Sequence, residues 1–161
     1  MAGKLVLLDG YSLINRAFYG LPPMTNADGL HTNGILGFFN IIIRIAEEEK
    51  PDYIAVAMDV HAPTFRHEMF SDYKGTRKPM PDELREQLPL LREIVECMGI
   101  PIVEKAGLEA DDIMGTLARK AEAEGMECTI VSGDRDLLQI ATDHIKIRIP
   151  KTKGGQTTVE D

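Results

Sequence analysis

Residues 4–10, Lys-Leu-Val-Leu-Leu-Asp-Gly, decide the fold. Leu5 to Leu8 form an unbroken apolar run too short for a helix face, so they read as a strand buried on both sides. The run stops at Asp9-Gly10, and Ser12 is placed to cap a short helix reaching about Tyr19. The same grammar recurs along the chain. Tyr53–Met58 is a second buried strand ending at Asp59, Ile100–Val103 a short third, and Glu127–Val131 a fourth running into Ser132-Gly133-Asp134. Ile145–Ile149 is a fifth, and a small strand is predicted near Thr157–Val159.

Helical periods fill the gaps. Asn33–Lys50 places Ile35, Phe38, Phe39, Ile42, Ile43 and Ala46 on one broad face. Residues 82–98 carry Leu84, Leu88, Leu91, Ile94, Val95 and Met98 inward, with Pro89 expected to kink or divide the helix. Glu109–Gly125 spaces Ala110, Ile113, Met114, Leu117, Ala118 and Ala121 along one stripe, and Arg135–Thr142 is a short helix. Residues 20–32 are rich in Pro, Gly, Asn and Asp and read as a loop. Strands alternating with helices predict an α/β domain of three layers, a mainly parallel central sheet between helices.

The chain has 161 residues, a net charge of −8, 43% apolar and 27% charged residues, which suits one globular domain with its own core. Its apolar runs are far short of the ~20 residues that span a bilayer, so no membrane partner is expected. The first ten residues lack the length and cleavage site of a signal peptide. Cys97 and Cys128 form no CxxC pair and read as free thiols of a cytoplasmic protein. The acidic balance argues against coating nucleic acid by net charge, but leaves room for a local basic groove.

In open α/β sheets ligands bind beyond the carboxyl ends of the strands. Asp9, Asp59 and Asp134 stand there, and Asp136 follows Asp134 by two residues. Glu109, Asp111 and Asp112 open a helix delivered to the same edge by the third strand. Setting these seven aside leaves 19 acids against 18 bases, so nearly all the net charge belongs to one predicted site. Taken singly, each residue has a plainer use. A strand-end Asp often serves a turn, Asp134 and Asp136 suit the cap of the helix at Arg135, and first-turn acids gain roughly 0.3–1 kcal/mol each from the helix dipole. Together they would raise one another's pKa unless cations joined them. Oxygen ligands without His or Cys favour Mg²⁺ or Mn²⁺. Two such ions, roughly 3.5–4 Å apart, would suit attack of water on a phosphodiester.

Residues 60–81 supply the opposite charge. Arg66, Lys74, Arg77 and Lys78 are suited to phosphates, and Phe70 and Tyr73 to bases; the plainer reading is a solvated loop. His31, His61, His67 and His144 match no ligand spacing and read as ordinary surface or core residues. No GxGxxG, GxxxxGK[ST] or GxSxG motif occurs, which removes support for dinucleotide, P-loop and serine-hydrolase readings.

Four segments carry a family resemblance: LVLLDGYSLINRAFYGL, AVAMDVHAPTFRHEMFSDYKGTRKPMP, GLEADD and TIVSGDRDLLQI. In order and spacing the chain resembles the 5′-nuclease domain of bacterial DNA polymerase I, of the flap-endonuclease family with its PIN-like, resolvase-like fold. The resemblance spans nearly the whole of residues 1–161. It implies that Asp9, Asp59, Glu109, Asp111, Asp134 and Asp136 are metal-site carboxylates, and that Asp112 matches the last acid of its motif. It implies that Lys74 and Arg77 act at the scissile phosphate, that Arg66 and Tyr73 lie on an arch-like segment, and that Arg16 contacts substrate. The expected activity is metal-dependent 5′-3′ exonuclease and flap-endonuclease cleavage of DNA in replication and repair, with 5′ flaps, 5′ ends and RNA primers as substrates. The family continues with further Asp ligands and a helix–hairpin–helix-like DNA grip. This sequence stops at Asp161, before that part and before any polymerase domain, so a fragment of a longer polymerase is expected, with one metal site weakened. A non-catalytic DNA-binding fragment and a PIN-like ribonuclease stand as alternatives.

Overall fold

The uncharged run Leu5–Leu8 lies at the centre of a sheet, where it leaves water on both faces. The structure, a computed structural model, describes residues 3–59, 80–153 and 156–160. Its strands are β1 (Lys4–Asp9), β2 (Tyr53–Ala57), β3 (Ile102–Val103), β4 (Glu127–Val131), β5 (Ile145–Lys153) and β6 (Gln156–Glu160). They lie in the order β3-β2-β1-β4-β5-β6. The first five are parallel, and β6 closes one edge antiparallel to β5.

Helices cover both faces. On one lie α1 (Gly10–Gly20), α2 (Asn33–Glu49), α3 (Asp82–Arg85) and α4 (Leu88–Cys97); on the other lie α5 (Ala110–Ala123) and the 3₁₀ helix Arg135–Ile140. The strand alternation of β1 divides between the two cores. Val6 and Leu8 pack with Phe38, Ile42, Ile45 and Leu91, while Leu7 packs with Met114, Ala118 and Ile130. Each large side chain buried this way contributes roughly 1.5–3 kcal/mol.

Two features fix the position of α1. A Cβ at Gly37 would lie 2.6 Å from Ala17 Cβ, so α1 and α2 pack almost backbone to backbone and only glycine fits there. A buried amide relay then closes the end of α1, where carbonyls lack helical partners. Asn33 Nδ2 donates to Phe18 O at 2.9 Å, Gln87 Nε2 donates to Asn33 Oδ1 at 3.1 Å, and Ile35 N donates to Gln87 Oε1 at 3.1 Å.

The predicted three-layer α/β architecture is the observed one, and local differences have local causes. The cap of α1 is Asp9, not Ser12; Ser12 supplies the N–H that Asp9 accepts. On α2 the inner stripe is Ile35, Phe38, Ile41, Ile42 and Ile45, so Ile43 and Ala46 face outward, Ile43 being 52% exposed. Pro89 divides the predicted 82–98 helix, as the missing N–H at a second helical start permits. Met98 lies past the end of α4, ahead of Gly99 at φ 76°, and is exposed rather than inward. The Arg135–Thr142 helix is 3₁₀ and ends at Ile140, and β5 runs four residues beyond its expected end. Both cysteines are free, Cys97 exposed and Cys128 buried with its thiol pushed up to about 12 by burial. No helix among the described residues is long and apolar enough to cross a membrane.

Candidate active site

Parallel strands bring all their carboxyl ends to one rim. The chain runs from β1 outward to β2 and β3, then crosses back to β4 on the other side of β1. The reversal leaves a crevice beyond β1 and β4, the place where α/β sheets bind ligands. A cleft of ≈ 780 Å³ opens there. Six of the seven predicted carboxylates line it: Asp9, Asp59, Glu109, Asp111, Asp134 and Asp136.

Hydrogen bonds hold the rim. Asp9 Oδ1 accepts from Ser12 N at 3.4 Å, and its Oδ2 accepts from Ser132 Oγ at 2.6 Å. Ser132 Oγ accepts in turn from Asp134 N at 3.0 Å, and Gly133 N donates to Ser12 Oγ at 2.8 Å. The ends of β1 and β4 are thus laced together. Asp134 Oδ1 accepts from Asp136 N at 2.9 Å, which starts the 3₁₀ helix. Asp59 Oδ1 accepts from Ala110 N at 2.6 Å, pinning the start of α5 to the end of β2.

The seventh acid goes elsewhere. Asp112 Oδ2 accepts from Glu109 N at 3.2 Å and faces a neighbouring hollow with Thr116 and Arg119. Helical rotation turns it away from its neighbour Asp111. The helix-dipole use open to this first-turn acid fits its place, and the structure adds a capping bond to Glu109 N.

Like charges at short range leave a mark. Burial, against the hydrogen bonds from Ser132 and Ser12 and with added repulsion from Asp59 and Asp134, raises Asp9 to about 6. Burial, a hydrogen bond shared with Asp134, and the charges of Asp9, Asp134 and Glu109 raise Asp111 to about 7. Such a rim favours a hard cation, which would relieve the repulsion and accept oxygen donors. Among the described residues no three His, Cys, Asp or Glu side chains close into a ready cage. The acids ring an open cleft, an arrangement that suits an ion retaining part of its water shell.

Arg16, predicted to contact substrate, also lines the cleft, as its one cation among the described residues. Arg66, Tyr73, Lys74, Arg77 and Lys78 lie outside the described residues. Tyr11, Asn15 and Tyr19 line the cleft too, and Ser12 and Ser132 support it; the sequence reading named none of them for the site. For Tyr19 a signal existed, since it follows the predicted substrate contact Arg16 by three residues on α1. His31 and His144 are tied to Glu86 at 2.5 Å and Glu127 at 2.8 Å, away from the cleft.

The family described as 5′-3′ exonuclease, N-terminal resolvase-like domain, matches residues 4–161. The chain belongs to this 5′-3′ exonuclease family. Within it, the chain is 49% identical over 160 residues to a DNA polymerase I of Bacillus caldotenax, covering 99% of this chain and 18% of that protein. It is 38% identical over 146 residues to a 5′-3′ exonuclease of Aquifex aeolicus, covering 91% of this chain and 50% of that protein. The chain therefore spans at most about half the length of these relatives. Its fold is shared by the bacteriophage T5 flap endonuclease crystallised as a pseudo-enzyme–product complex with DNA and metal ions. The TM-score is 0.68 at 21% identity, covering 91% of this chain and 54% of that one.

Proposed function

We propose that this domain of the 5′-3′ exonuclease family is the hydrolytic core of a divalent-metal-dependent 5′-nuclease acting on DNA flaps and 5′ ends. The carrying observation is the convergence of six carboxylates on a single cleft at the crossover of the sheet, with Arg16 beside them. Support comes from the named activity of the Aquifex relative and from the metal ions and DNA held by the phage enzyme of the same fold.

Asp9, Asp59, Glu109, Asp111, Asp134 and Asp136 would hold Mg²⁺ or Mn²⁺, two ions in the full reading. Bound there, the ions supply a more acidic attacking water and neutralise charge that develops on the phosphate and leaving oxygen. The chain's own contribution is placement. Ser132 and Ser12 orient Asp9, the Asp136 N–H orients Asp134, and Ala110 N–H orients Asp59. Arg16 offers a fork of donors to a phosphate. Lys74 and Arg77, with Arg66, Tyr73 and Lys78, would bring the substrate strand to the acids. No residue of the cleft is asked to form a covalent intermediate. A replication and repair setting in the bacterial cytoplasm follows from the same reading, with RNA primers among the substrates.

The test uses an end-labelled 5′-flap duplex with Mg²⁺ or Mn²⁺ and an Asp134→Ala control checked for folding by circular dichroism. The expected result is a metal-dependent product that the control loses by more than about 100-fold, together with lost Mn²⁺ binding. Unchanged Mn²⁺ affinity in the variant would remove Asp134 from the ligand set. A folded wild type that binds DNA with salt dependence yet yields no product would favour a binding module, and preference for RNA over flap DNA would favour a ribonuclease.

A further inference from the structure

Tyr19 and Gly20 line the cleft at the C-terminal end of α1 and form the lip of that wall. A helix end shifts most easily, because its last carbonyls have no helical partner. Here they are gripped from outside. Asn33 Nδ2 donates to Phe18 O at 2.9 Å and to Leu21 O at 3.5 Å, one carbonyl on each side of the lip. Asn33 is held in turn. Gln87 Nε2 donates to Asn33 Oδ1 at 3.1 Å and to Glu83 O at 2.9 Å, and Gln87 Oε1 accepts from Ile35 N at 3.1 Å.

Gln87 is 0% exposed and Asn33 2%. An amide buried at that depth is costly unless its polar atoms are paired, and here each of them is, so the seam closes in one arrangement. A Cβ at Gly34 would lie 2.9 Å from Gln87 Oε1, so only glycine leaves the amide its place. The contact of Ala17 with Gly37 sets how near α1 lies to α2, but dispersion is indifferent to small slides and rolls. Hydrogen bonds are directional and fix both. The residues around Gln87 also reach the other side of the site. His31 N donates to Glu86 Oε1 at 2.8 Å, a second tie to the approach of α2. Arg85, Leu88 and Pro89 line a hollow of ≈ 490 Å³ with Tyr11 and Asp59, two residues that line the cleft as well. The joint between α3 and α4 therefore spans from the lip of α1 to an acid of the rim.

We propose that Gln87 is a positioning residue of the nuclease: through Asn33 it fixes the lip of α1 against the acid rim, and so the point at which a strand's phosphate meets the acids. Gln87 stands outside the cleft and acts only through its neighbours. The inference rests on the nuclease reading and adds to it a residue that sets the register of the cut. Loss of a merely structural amide lowers stability; loss of a positioning one also moves the place of cleavage.

The experiment compares wild type with Gln87→Met, which keeps the length of the side chain and removes its hydrogen bonds. Ile45→Ala, a truncation in the buried core near the far end of α2, serves as the control for stability, matched by urea titration. On the labelled 5′ flap with Mn²⁺, Gln87→Met should raise the share of cuts at neighbouring phosphates about five-fold and lower kcat about ten-fold, with Mn²⁺ affinity within about two-fold of wild type. Ile45→Ala should keep the wild-type cutting pattern. Gln87→Met combined with Asn33→Ala should be no worse than the worse single variant, because both break one relay. Gln87→Glu keeps the acceptor for Ile35 N and loses the amide donor; it carries the same expectation and takes the place of a Gln87→Met protein that does not fold. An unchanged cutting pattern, the same spread in Ile45→Ala, a matching fall in Mn²⁺ affinity, or additive effects in the double variant would each overturn the proposal. A second readout needs no cleavage. In Gln87→Met the amides of Tyr19, Gly20 and Leu21 should exchange with solvent about ten-fold faster, while those of Leu13 and Ile14 keep the wild-type rate. Unchanged exchange at the lip would overturn the grip of Gln87 on α1. If wild type cuts nothing, the nuclease reading fails, and exchange at the lip still decides whether Gln87 holds it.

Discussion

Two carboxylates of this domain are both largely hidden from solvent and behave in opposite ways. Glu49, at the end of α2, is met by Lys4 from β1 and by Arg148 Nη1 at 2.9 Å from β5. Burial pushes its carboxyl up, but the hydrogen bond and charge of Lys4, with Arg148, outweigh that and hold it below the ordinary Glu range. Asp9 is 5% exposed, has only hydrogen-bond donors for support, and faces Asp59 and Asp134. Its carboxyl rises to about 6. The lesson is that burial pushes both carboxyls up; the cations beside Glu49 reverse the sign there, and no cation does so at Asp9. One end of the domain has closed its charges into a structural clamp. The other holds them open, and an uncompensated rim of acids is what a cation site requires.

The clamp is where the largest stability effect belongs. Glu49→Ala takes the Nη1 partner from buried Arg148, whose Nη2 keeps Glu48 at 2.7 Å, and removes the partner of Lys4; it should lower unfolding free energy by about 3 kcal/mol at neutral pH, read from urea titration. Mn²⁺ affinity should stay at the wild-type value. A variant that loses both would mean that the two regions are not independent.

Asp9→Asn should act in the opposite direction. The folded pKa of Asp9 lies above its unfolded value of 3.8, so ionisation opposes folding as pH rises through the window from about 4 to 6. In metal-free protein the substitution should therefore stabilise by up to about 3 kcal/mol above pH 6, with the gain fading below pH 4. Asn keeps the cap through its single Oδ1 and turns its Nδ2 to donate to Ser132 Oγ, so a metal-free variant less stable than wild type at pH 7.5 would contradict the assigned shift. Glu49 carries the reverse slope. Its folded pKa is depressed, so its contribution is present above pH 4.5 and is lost on acidification.

The smallest effect is on the metal itself. Asp9 and Asp111 must shed protons to serve as ligands, so Mn²⁺ affinity should fall about ten-fold or more from pH 8 to pH 6, measured by calorimetry. A flat profile over that range would show that neither group binds the ion.

Much of this was legible along the chain. The strand ends at Asp9, Asp59 and Asp134 follow from apolar runs and the residues that stop them, and parallel strands force those ends to one rim. Pro89 announced the break between α3 and α4 because a missing N–H is a local property. Side-chain direction was harder. Asp111 and Asp112 are adjacent in sequence, yet one lines the cleft and the other closes the first turn of α5. The same cause turned Ile43 outward on α2, because a helix rotates each residue by about 100° from the last and a broad apolar stretch does not reveal its centre.

The sequence by itself determined the layers, the order of acids and the kind of ion they suit, since these rest on periodicity and on the chemistry of each residue. Tertiary structure alone decided which acids share space, and so which have raised pKa values. It alone paired Glu49 with Arg148 across 99 positions and Asp9 with Ser132 across 123. It alone left Arg16 Nε buried beside the rim without a hydrogen-bond partner. Electrostatic shifts and hydrogen bonds depend on distances of a few ångströms between groups far apart in sequence, and only the packed chain sets those distances.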